Sequence, residues 1–308
     1  MEYLEVIEMA INETTNGQGA YVVAPEYFKE VHRLIGNFSV VRQVFKPVPT
    51  MSKAGFLHEI TAIPTIYFPD EGVAATPSQS TFDQKTFAMK RFAAQTEVTM
   101  DWMEDTFSDE RSSIIEPMLE ALAKSEDVCV LLGDGTATYN SITGLANISL
   151  TGFTDNIVDM GGNDFTYDKI TLGSALISEN KGMATALIVS PRGLRNLKLM
   201  KDDNGRYLFS KDITDSDTIK SGKVGLIDGI PVYESLALKD YEDANASGIA
   251  FMVDGNKMGK FIVRQNDVKF KKEEVQQSWK YAYNIYERVD FCSLFPQLLV
   301  RYTNLNIA

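Results

Sequence analysis

The first helical pattern in the chain lies between Pro25 and Gly36. Its apolar residues Phe28, Val31 and Ile35 are spaced by three and four positions, which places them on one stripe of a helix. Proline at the first helical position and glycine just after the last are common boundaries of such an element. The sequence therefore predicts a short helix whose single narrow stripe needs a covering surface.

The longest helical pattern starts with a capping residue at Ser108 or Asp109 and ends at Gly133. It covers about 24 residues, or about 36 Å at about 1.5 Å per residue. Pro117 lies inside this pattern, where it would remove a hydrogen bond and bend or restart the helix. Gly133 then predicts a left-handed residue at the helix C-terminus.

From residue 40 to residue 100 the pattern changes to short β-like pieces separated by prolines. Residues 70–80 are polar and rich in turn formers, so we predict a long hairpin with a mobile tip. A two-stranded hairpin has no second layer under its apolar face and is at best marginally stable alone in water. The hairpin must therefore lie on another surface, and a neighbouring subunit is one candidate.

Helix and strand signals alternate in the second half of the chain, which predicts a mixed α/β unit. A helix is predicted over 168–180 and a strand over 186–189, and the pair Ser190–Pro191 opens a further helix. The pair Asp228–Gly229 between two apolar runs predicts a hairpin turn with positive φ.

After Gly255 the chain becomes strand-like. Trp279, Tyr281, Tyr283 and Ile285 alternate with other residues and are predicted to share one packed face of a sheet. The same stripe lacks the interleaved basic residues of a base-stacking platform, so the packed face is the favoured interpretation.

Composition and charge exclude several function classes. The chain has 308 residues, 44% apolar and 23% charged, which is typical of a folded protein. Its length suggests two domains and is also compatible with one large irregular domain. Its 30 basic and 42 acidic residues give a net charge of −12, the opposite of the basic surface that grips nucleic acid. The first ten residues lack the basic region of a secretory signal, and no apolar run approaches the length of a membrane span.

The residue types that usually form catalytic or metal-binding sites show no recognised motif or spacing in this sequence. His32 and His58 show no metal-binding spacing, and Cys129 and Cys292 are far apart, which favours a reducing compartment. The glycines around residue 134 lack the lysine of a phosphate-binding loop. We therefore expect no enzyme activity, no metal site and no cofactor.

Several segments, taken in order, resemble the major capsid proteins of tailed bacteriophages, which share the fold named after phage Hong Kong 97. The first are GQGAYVVAPEYFKEV, then SVVRQV at 39–44 and KTFAMKRFAAQTEVTMDWMED at 85–105. The later ones are VLLGDGTATYNSITGLAN at 130–147, SPRGLRNLKLMKDDNGRYLF at 190–209, GLIDGIPVYES and YERVDFCSLFP. The resemblance covers nearly the whole chain.

The resemblance implies an α+β fold with six consecutive parts. They are an N-terminal arm (1–45), an extended β-hairpin loop (46–98), a peripheral domain with a long spine helix (99–163), a mixed α/β axial domain (164–255), returning peripheral strands (256–286) and C-terminal axial strands (287–308). In this family the extended loop lies across the next subunit. The candidates for contact between subunits are Phe28, Val31, Asp70, Glu71, Phe82, Phe87 and Met89.

Some relatives join subunits by an isopeptide bond between a lysine and an asparagine, with a glutamate as base. Aligning on Phe82 and Glu287 places these positions at about Ala75, Trp279 and Tyr286, none of which has the required chemistry. The resemblance therefore implies a shell without covalent cross-links.

The resemblance further implies a structural function. We expect hexamers and pentamers of an icosahedral head that encloses double-stranded DNA without binding it tightly, found in the virion and assembled in the host bacterial cytoplasm. A portal protein is an expected partner, and a decoration protein is compatible with this function but is not indicated by the sequence. No scaffolding extension precedes the arm, and Met1 begins the sequence there, so we also expect a separate scaffolding protein.

Two other functions stay open from the sequence. Encapsulin compartments resemble the same fold, so the chain could enclose a cargo enzyme instead of DNA. A soluble hydrolase that uses paired carboxylates is compatible with the composition, although no groups converge to support it.

Overall fold

A computed structural model describes residues 39–307, except 73, 75, 106–113, 202–203, 206, 210–222, 265–267 and 276–277. The predicted helix between Pro25 and Gly36, including Phe28 and Val31, lies outside the described residues. The predicted capping residues Ser108 and Asp109 also lie outside them.

The described part of the chain combines helices with two larger sheets and a hairpin. The α-helices are α1 (Val40–Val44), α2 (Met100–Asp105), α3 (Glu116–Leu132), α4 (Tyr167–Glu179), α5 (Pro191–Leu199) and α6 (Leu236–Asn245). The strands are β1 (Val48–Thr50), β2 (Ala54–Ala62), β3 (Thr81–Ala88), β4 (Lys90–Thr99), β5 (Ile157–Asp159), β6 (Ala186–Val189), β7 (Lys223–Ile227), β8 (Ile230–Glu234), β9 (Gly248–Val253), β10 (Gly259–Arg264), β11 (Lys269–Val275), β12 (Lys280–Ser293) and β13 (Leu299–Leu305).

The five-stranded sheet is built around β12, which is 14 residues long. Strand β4 pairs antiparallel along one edge of β12, while β11 and β10 follow one another along the other edge. Strand β1 then adds in parallel to β10. Because β12 runs unbroken to Ser293, the chain leaves this sheet only after the expected boundary between residues 286 and 287.

The six-stranded sheet has the order β5-β13-β9-β6-β8-β7. All residues of β6 and β9 are buried, which explains why both read as continuous apolar runs in the sequence. The predicted helix over 168–180 and strand over 186–189 are confirmed as α4 and β6. Ser190 caps α5, since its hydroxyl accepts a hydrogen bond from the Gly193 N–H at 2.9 Å.

The predicted turn at Asp228 and Gly229 is also confirmed. Their φ angles are 51° and 74°, and they join the antiparallel strands β7 and β8. A two-residue turn with positive φ at both positions matches the twist of the strands that it connects.

Helix α3 supplies the centre of a hydrophobic core that both sheets share. Leu119 and Leu131 are fully buried in it, and α3 packs against α1, β4 and α6. The α-helical part of the predicted segment is 17 residues long within the described residues, or about 26 Å. None of the helices in the described ranges is long and apolar enough to cross a membrane.

The predictions about the two ends of α3 have different outcomes. Ile114 and Ile115 form a π-helical turn directly before α3, and Pro117 follows them in the first turn of the α-helix. This agrees with the prediction that the proline bends or restarts the helix. Gly133, in contrast, has φ −51° and is not left-handed. A side chain there would collide with the carbonyl oxygens of Cys129 and Ile142, so close backbone approach is what requires glycine.

The predicted β-like stretch also differs from the structure at both ends. Residues Val40–Val44 form helix α1, because their valines pack into the core around α3. The hairpin consists of β2 and β3 alone, since β4 belongs to the five-stranded sheet. Trp279 lies in the turn before β12 with φ 51° and 73% exposure, so only Tyr281, Tyr283 and Ile285 of the predicted stripe lie on that strand.

Candidate inter-subunit surface

The β2–β3 hairpin has two chemically different faces. Phe56 pairs with Thr86, His58 with Gln84 and Ile60 with Phe82. Because alternate residues of a strand point to opposite sides, the pairing places these six side chains on one face, called here the outer hairpin face. Leu57, Glu59, Asp83, Lys85 and Phe87 lie on the opposite, inner hairpin face.

The outer hairpin face exposes large apolar side chains to solvent. Phe56, Ile60 and Phe82 are all exposed, and Phe82 retains 66% of its accessible surface. The loop between the two strands also exposes large apolar side chains, namely Ile63, Ile66, Tyr67 and Phe68. A contiguous exposed apolar surface of this kind is typical of a protein interaction site.

The inner hairpin face holds the base of the hairpin on its own subunit. Phe87 and Met89 are each 9% exposed and pack with Ile262 and Cys292 in a small cluster. Asp290 accepts a hydrogen bond from the Ala88 N–H at 2.7 Å. Phe87 and Met89, two of the candidates for contact with a neighbouring subunit, are thus buried within their own subunit.

A charged group lies farther along the inner hairpin face. Lys85 Nζ is 3.1 Å from Asp83 Oδ2 and 3.7 Å from Glu59 Oε1. The pKa of Glu59 is raised above its ordinary value because the carboxyl group is buried, and the positive charge of Lys85 opposes part of this rise. Both carboxylates pair with the Lys85 ammonium group. The inner hairpin face is therefore polar at these positions, beyond the buried residues at the base of the hairpin.

The hairpin tip is folded but exposed. The Ser78 hydroxyl accepts a hydrogen bond from the Thr65 N–H at 2.9 Å and donates one to the Thr65 carbonyl at 3.0 Å. Phe68 is 93% exposed, and Asp70 and Glu71 beside it are exposed as well. The tip thus presents aromatic and acidic side chains beyond the subunit surface.

Two of the three positions aligned with cross-linking residues lie in the described part of the chain. Tyr286 lies on β12, with the Arg91 guanidinium 5.6 Å and the Lys269 ammonium 5.9 Å from its ring centroid. Trp279 is exposed in the turn before that strand, and Ala75 lies outside the described residues.

The segment before the hairpin is fixed to α3 by buried charges that the sequence analysis missed. Arg42 donates to Glu126 through Nε at 2.8 Å and Nη2 at 2.6 Å, and Nη2 also donates to Glu287 at 2.8 Å. The ring of Phe261 lies 5.5 Å from the guanidinium carbon. An arginine among valines in VVRQV, and two acidic residues inside the apolar α3 pattern, were the signals available in the sequence.

Asp127 completes this junction at the start of α1. Its carboxylate accepts hydrogen bonds from the Ser39 hydroxyl at 2.8 Å and from the Val40 and Val41 N–H groups at 3.1 Å. Burial raises the pKa of Asp127 to about 7, although these hydrogen bonds oppose the change. Residues 39–44 are therefore held by α3 through both charge and capping.

The remaining chemical candidates form no catalytic arrangement in the described ranges. Cys129 and Cys292 are buried, and burial raises the pKa of each thiol to about 11. His58 is exposed on the outer hairpin face, whereas His32 lies outside the described residues. The described side chains contain no group of His, Cys, Asp and Glu suited to a metal ion.

Comparison with known proteins places this architecture in a family. A profile of the Phage capsid family matches residues 19–293. The chain belongs to the phage capsid family. The major capsid protein of Enterobacteria phage HK97 is 28% identical over 132 residues, which are 43% of this chain. The matched segment spans 33% of that relative.

Solved structures have the same fold at low sequence identity. A chain from Microbacterium phage Oxtober96 is 15% identical, with a TM-score of 0.67 over 87% of this chain and 91% of that one. A chain from Mycobacterium phage Bobi is 16% identical, with a TM-score of 0.67 over 88% and 91%. The capsid of an empty GTA particle is 14% identical, with the same TM-score over 87% and 90%. The fold is thus that of Hong Kong 97-type capsid proteins.

Proposed function

We propose that this chain is the major capsid protein of a tailed phage and assembles into hexamers and pentamers of an icosahedral head. The observation that carries the proposal is the outer hairpin face, whose apolar side chains are uncovered in a protein of the phage capsid family. A neighbouring copy that covers this face would complete the fold. Closed rings then arise from one repeated contact between different surfaces of the same chain.

The energetics favour such a contact. Fully burying one large apolar side chain contributes about 1.5–3 kcal/mol. Phe56, Ile60, Phe68 and Phe82 are all exposed in the single subunit, and each would contribute on this scale. Several such contributions offset the loss of translational freedom when subunits associate.

The shell is proposed to hold without covalent cross-links. Trp279 and Tyr286 carry neither the amide nor the carboxylate that an isopeptide bond needs, and Ala75 lacks an amine. Apolar contacts and charge pairs between copies would supply the cohesion.

The enclosed cargo is proposed to be double-stranded DNA. A subunit with a net charge of −12 makes few phosphate contacts, so packed DNA stays free to leave. A portal protein, a separate scaffolding protein and a decoration protein are the partners that this function requires or allows. The site of action is the virion, and assembly takes place in the host bacterial cytoplasm.

We assign the parts of the chain accordingly. Residues 1–45 are assigned to the arm, and the β2–β3 hairpin with its connecting loop, within the expected range 46–98, to the extended loop. The five-stranded sheet with α3 corresponds to the peripheral domain and the six-stranded sheet to the axial domain. The last change between domains is placed after Ser293, where β12 ends.

Electron microscopy of the protein expressed alone tests the proposal. Rings of five or six subunits, tubes or shells support it, and only dispersed monomers contradict it. Shells purified from infected cells distinguish the cargo: DNA supports a phage head, whereas an enclosed enzyme would indicate an encapsulin. Uniform closed shells from the chain alone would contradict the need for a separate scaffolding protein.

A further inference from the structure

The chain passes from the hairpin into the five-stranded sheet between strands β3 and β4. The antiparallel pairing of β4 with β12 begins at Lys90, which lies opposite Val289. Met89 alone separates β4 from β3, which pairs with β2 in the hairpin. The change from one sheet to the other therefore takes place at a single residue, and the backbone around that residue sets the direction of the hairpin.

The backbone N–H groups at this transition have acceptors outside the β4–β12 ladder. The Ala88 N–H donates to the side-chain Oδ2 of Asp290 at 2.7 Å. The Met89 N–H donates to the Lys53 carbonyl, at the base of the hairpin, at 2.9 Å. Because backbone N–H groups shielded from water need an acceptor, these two bonds mark the place where the strand turns away from β12.

The carboxylate of Asp290 bridges two strands. Its Oδ2 accepts the hydrogen bond from Ala88 of β3, and its Oδ1 accepts one from the Phe291 N–H of β12 at 2.9 Å. A carboxylate has only acceptor oxygens, so it can receive an N–H group on each side. An asparagine of the same shape would place an NH₂ donor against one of the two N–H groups.

Asp290 is buried without a cation beside it. It is 8% exposed, and no ion pair joins it to a lysine or arginine in the part of the chain that the structure describes. Burial raises the pKa of Asp290, and the hydrogen bonds from Ala88 and Phe291 and the charge of Lys90 oppose part of this rise. A buried carboxylate is costly unless hydrogen bonds compensate it, so the two N–H groups account for its presence here.

Apolar packing holds the hairpin at the same place. Phe87 and Met89, on either side of Ala88, pack with Ile262 and Cys292 of the five-stranded sheet. Contacts at three consecutive residues therefore attach the end of β3 to the body. Of these contacts, the bond to Asp290 is the one with strict directional requirements, because hydrogen bonds weaken steeply when they are bent.

A small change of angle at the base moves the outer hairpin face a long way. Phe82 lies six residues from Ala88 on the same strand, which is about 20 Å at about 3.3 Å per residue. A tilt of about 15° at Ala88 would displace Phe82 by about 5 Å, more than the roughly 4 Å over which apolar side chains make contact. The position of the outer hairpin face thus depends on how firmly its base is held.

We propose that Asp290 is a positioning residue that fixes the direction in which the hairpin leaves the body. The inference rests on the proposed function, in which the outer hairpin face meets a neighbouring copy. Asp290 is buried, so it acts through the Ala88 N–H and not through contact with that neighbour. A hairpin already held in one direction loses less conformational freedom when subunits associate.

Asp290→Asn tests this role with almost no change of shape. The matched control is Asp159→Asn on β5, in the other sheet. Asp159 also accepts two hydrogen bonds, from the Gly161 N–H at 2.8 Å and from the Asn304 side-chain amide at 2.9 Å. Circular dichroism checks the folding of each variant, and sedimentation measures the yield of assembled rings or shells.

The direction of the hairpin is measured in unassembled subunits as the distance between two spin labels. The labels are attached at Gln84→Cys on the hairpin and Lys239→Cys on α6, two exposed positions. The native Cys129 and Cys292 are buried, which directs labelling to the introduced thiols. The unmodified background should give one narrow distribution of distances.

Asp290→Asn should broaden this distribution and lower the yield of assembled protein about tenfold. Losing one buried hydrogen bond shifts an equilibrium by about that factor, and only the fraction of hairpins in the right direction can assemble. Asp159→Asn should keep both the narrow distribution and the yield. In the wild-type subunit, the Ala88 amide hydrogen should be protected from exchange with solvent.

Three results would overturn the proposal. One is a narrow distribution for Asp290→Asn that equals that of the unmodified background. Another is a broad distribution together with an unchanged yield of assembled protein. The third is free exchange of the Ala88 amide in the wild-type subunit, which decides the matter even when Asp290→Asn does not fold. Failure of both wild type and Asp159→Asn to assemble would instead contradict the proposed function, and the label distances would still show whether Asp290 directs the hairpin.

Discussion

At the residue scale, the attachment of residues 39–44 to helix α3 depends most on the side chain of Arg42. It is buried, and it forms ion pairs with both Glu126 and Glu287, which are also buried. Removing one member of a buried ionic group leaves its partners charged in a medium that solvates them poorly. Burying these three charged side chains is itself costly, so the group adds little net stability. We infer that its main role is to define where residues 39–44 attach to α3.

We predict that Arg42→Met lowers the free energy of unfolding by about 3–5 kcal/mol. Urea denaturation of unassembled subunits measures the change. Lys124→Met is the matched control, because Lys124 forms an exposed ion pair with Asp240 at 2.8 Å. That control should change stability by about 1 kcal/mol or less. Equal effects of the two substitutions would show that the Arg42 junction is not a special point of attachment.

The raised pKa of Asp127 predicts a pH dependence of defined sign. Its pKa is about 7 in the folded subunit and about 3.9 in an unfolded chain. The folded state therefore holds a proton that the unfolded state releases, and stability falls as pH rises from about 4 to about 7.

Asp127→Asn should remove this contribution and flatten the fall in unfolding free energy between pH 5 and pH 8. Urea denaturation at several pH values gives the two slopes. Burial also raises the pKa of Glu59 and Asp290, so part of the slope remains in the variant. Asp134→Asn is the control, since the pKa of Asp134 is lowered and its contribution lies at more acidic pH. Identical slopes for wild type and Asp127→Asn would contradict the assignment.

At the scale of elements, strand β3 of the hairpin carries one phenylalanine proposed to act in assembly and another that packs within the subunit. Phe82 is exposed on the outer hairpin face, while Phe87, five residues later on β3, is buried against the body. The two phenylalanines therefore belong to the same strand but differ in burial, which lets their roles be tested separately.

We predict that Phe82→Ala reduces assembly at least about tenfold but changes subunit stability by about 0.5 kcal/mol or less. Phe87→Ala should instead lower stability by about 3–5 kcal/mol, because it leaves a cavity in a packed cluster. Sedimentation measures assembly, and urea denaturation measures stability. A Phe82→Ala protein that assembles normally would remove this residue from the interface.

Elements with local signals were predictable from the sequence. Helix α4, strand β6 and the Asp228–Gly229 turn follow from spacing and turn chemistry within a few residues. Helix α1 was not predictable, because its valines favour a strand locally and only packing against α3 makes them helical. The burial of Phe87 likewise depends on Ile262 and Cys292, which are distant in the sequence.

Part of the candidate site was likewise predictable from the sequence, and part depends on long-range contacts. The sequence indicates an apolar hairpin that needs a covering surface, and it indicates the acidic tip at Asp70 and Glu71. The composition of the outer hairpin face could not be foreseen, since it needs the register that brings Ile60 opposite Phe82. Strand register is set by long-range pairing, which a single sequence does not reveal.

At the scale of the whole molecule, cohesion of the shell is expected to come from many weak contacts. Purified particles boiled in detergent should give one band at the subunit mass of 34.3 kDa. Denaturing electrophoresis is the measurement, and unboiled particles that stay at the top of the gel provide the control. A ladder of higher bands after boiling would reveal covalent bonds and contradict the non-covalent shell.

The central claim is that the subunit is completed only by copies of itself, because its hairpin is covered by a neighbour. Sedimentation velocity over a range of concentrations, with hydrogen exchange of residues 54–72 on the same samples, tests it most directly. The claim predicts that ring-sized or larger particles form as concentration rises and that the hairpin becomes protected in them. A single 34.3 kDa species at the highest concentration, with the hairpin already protected, would contradict it.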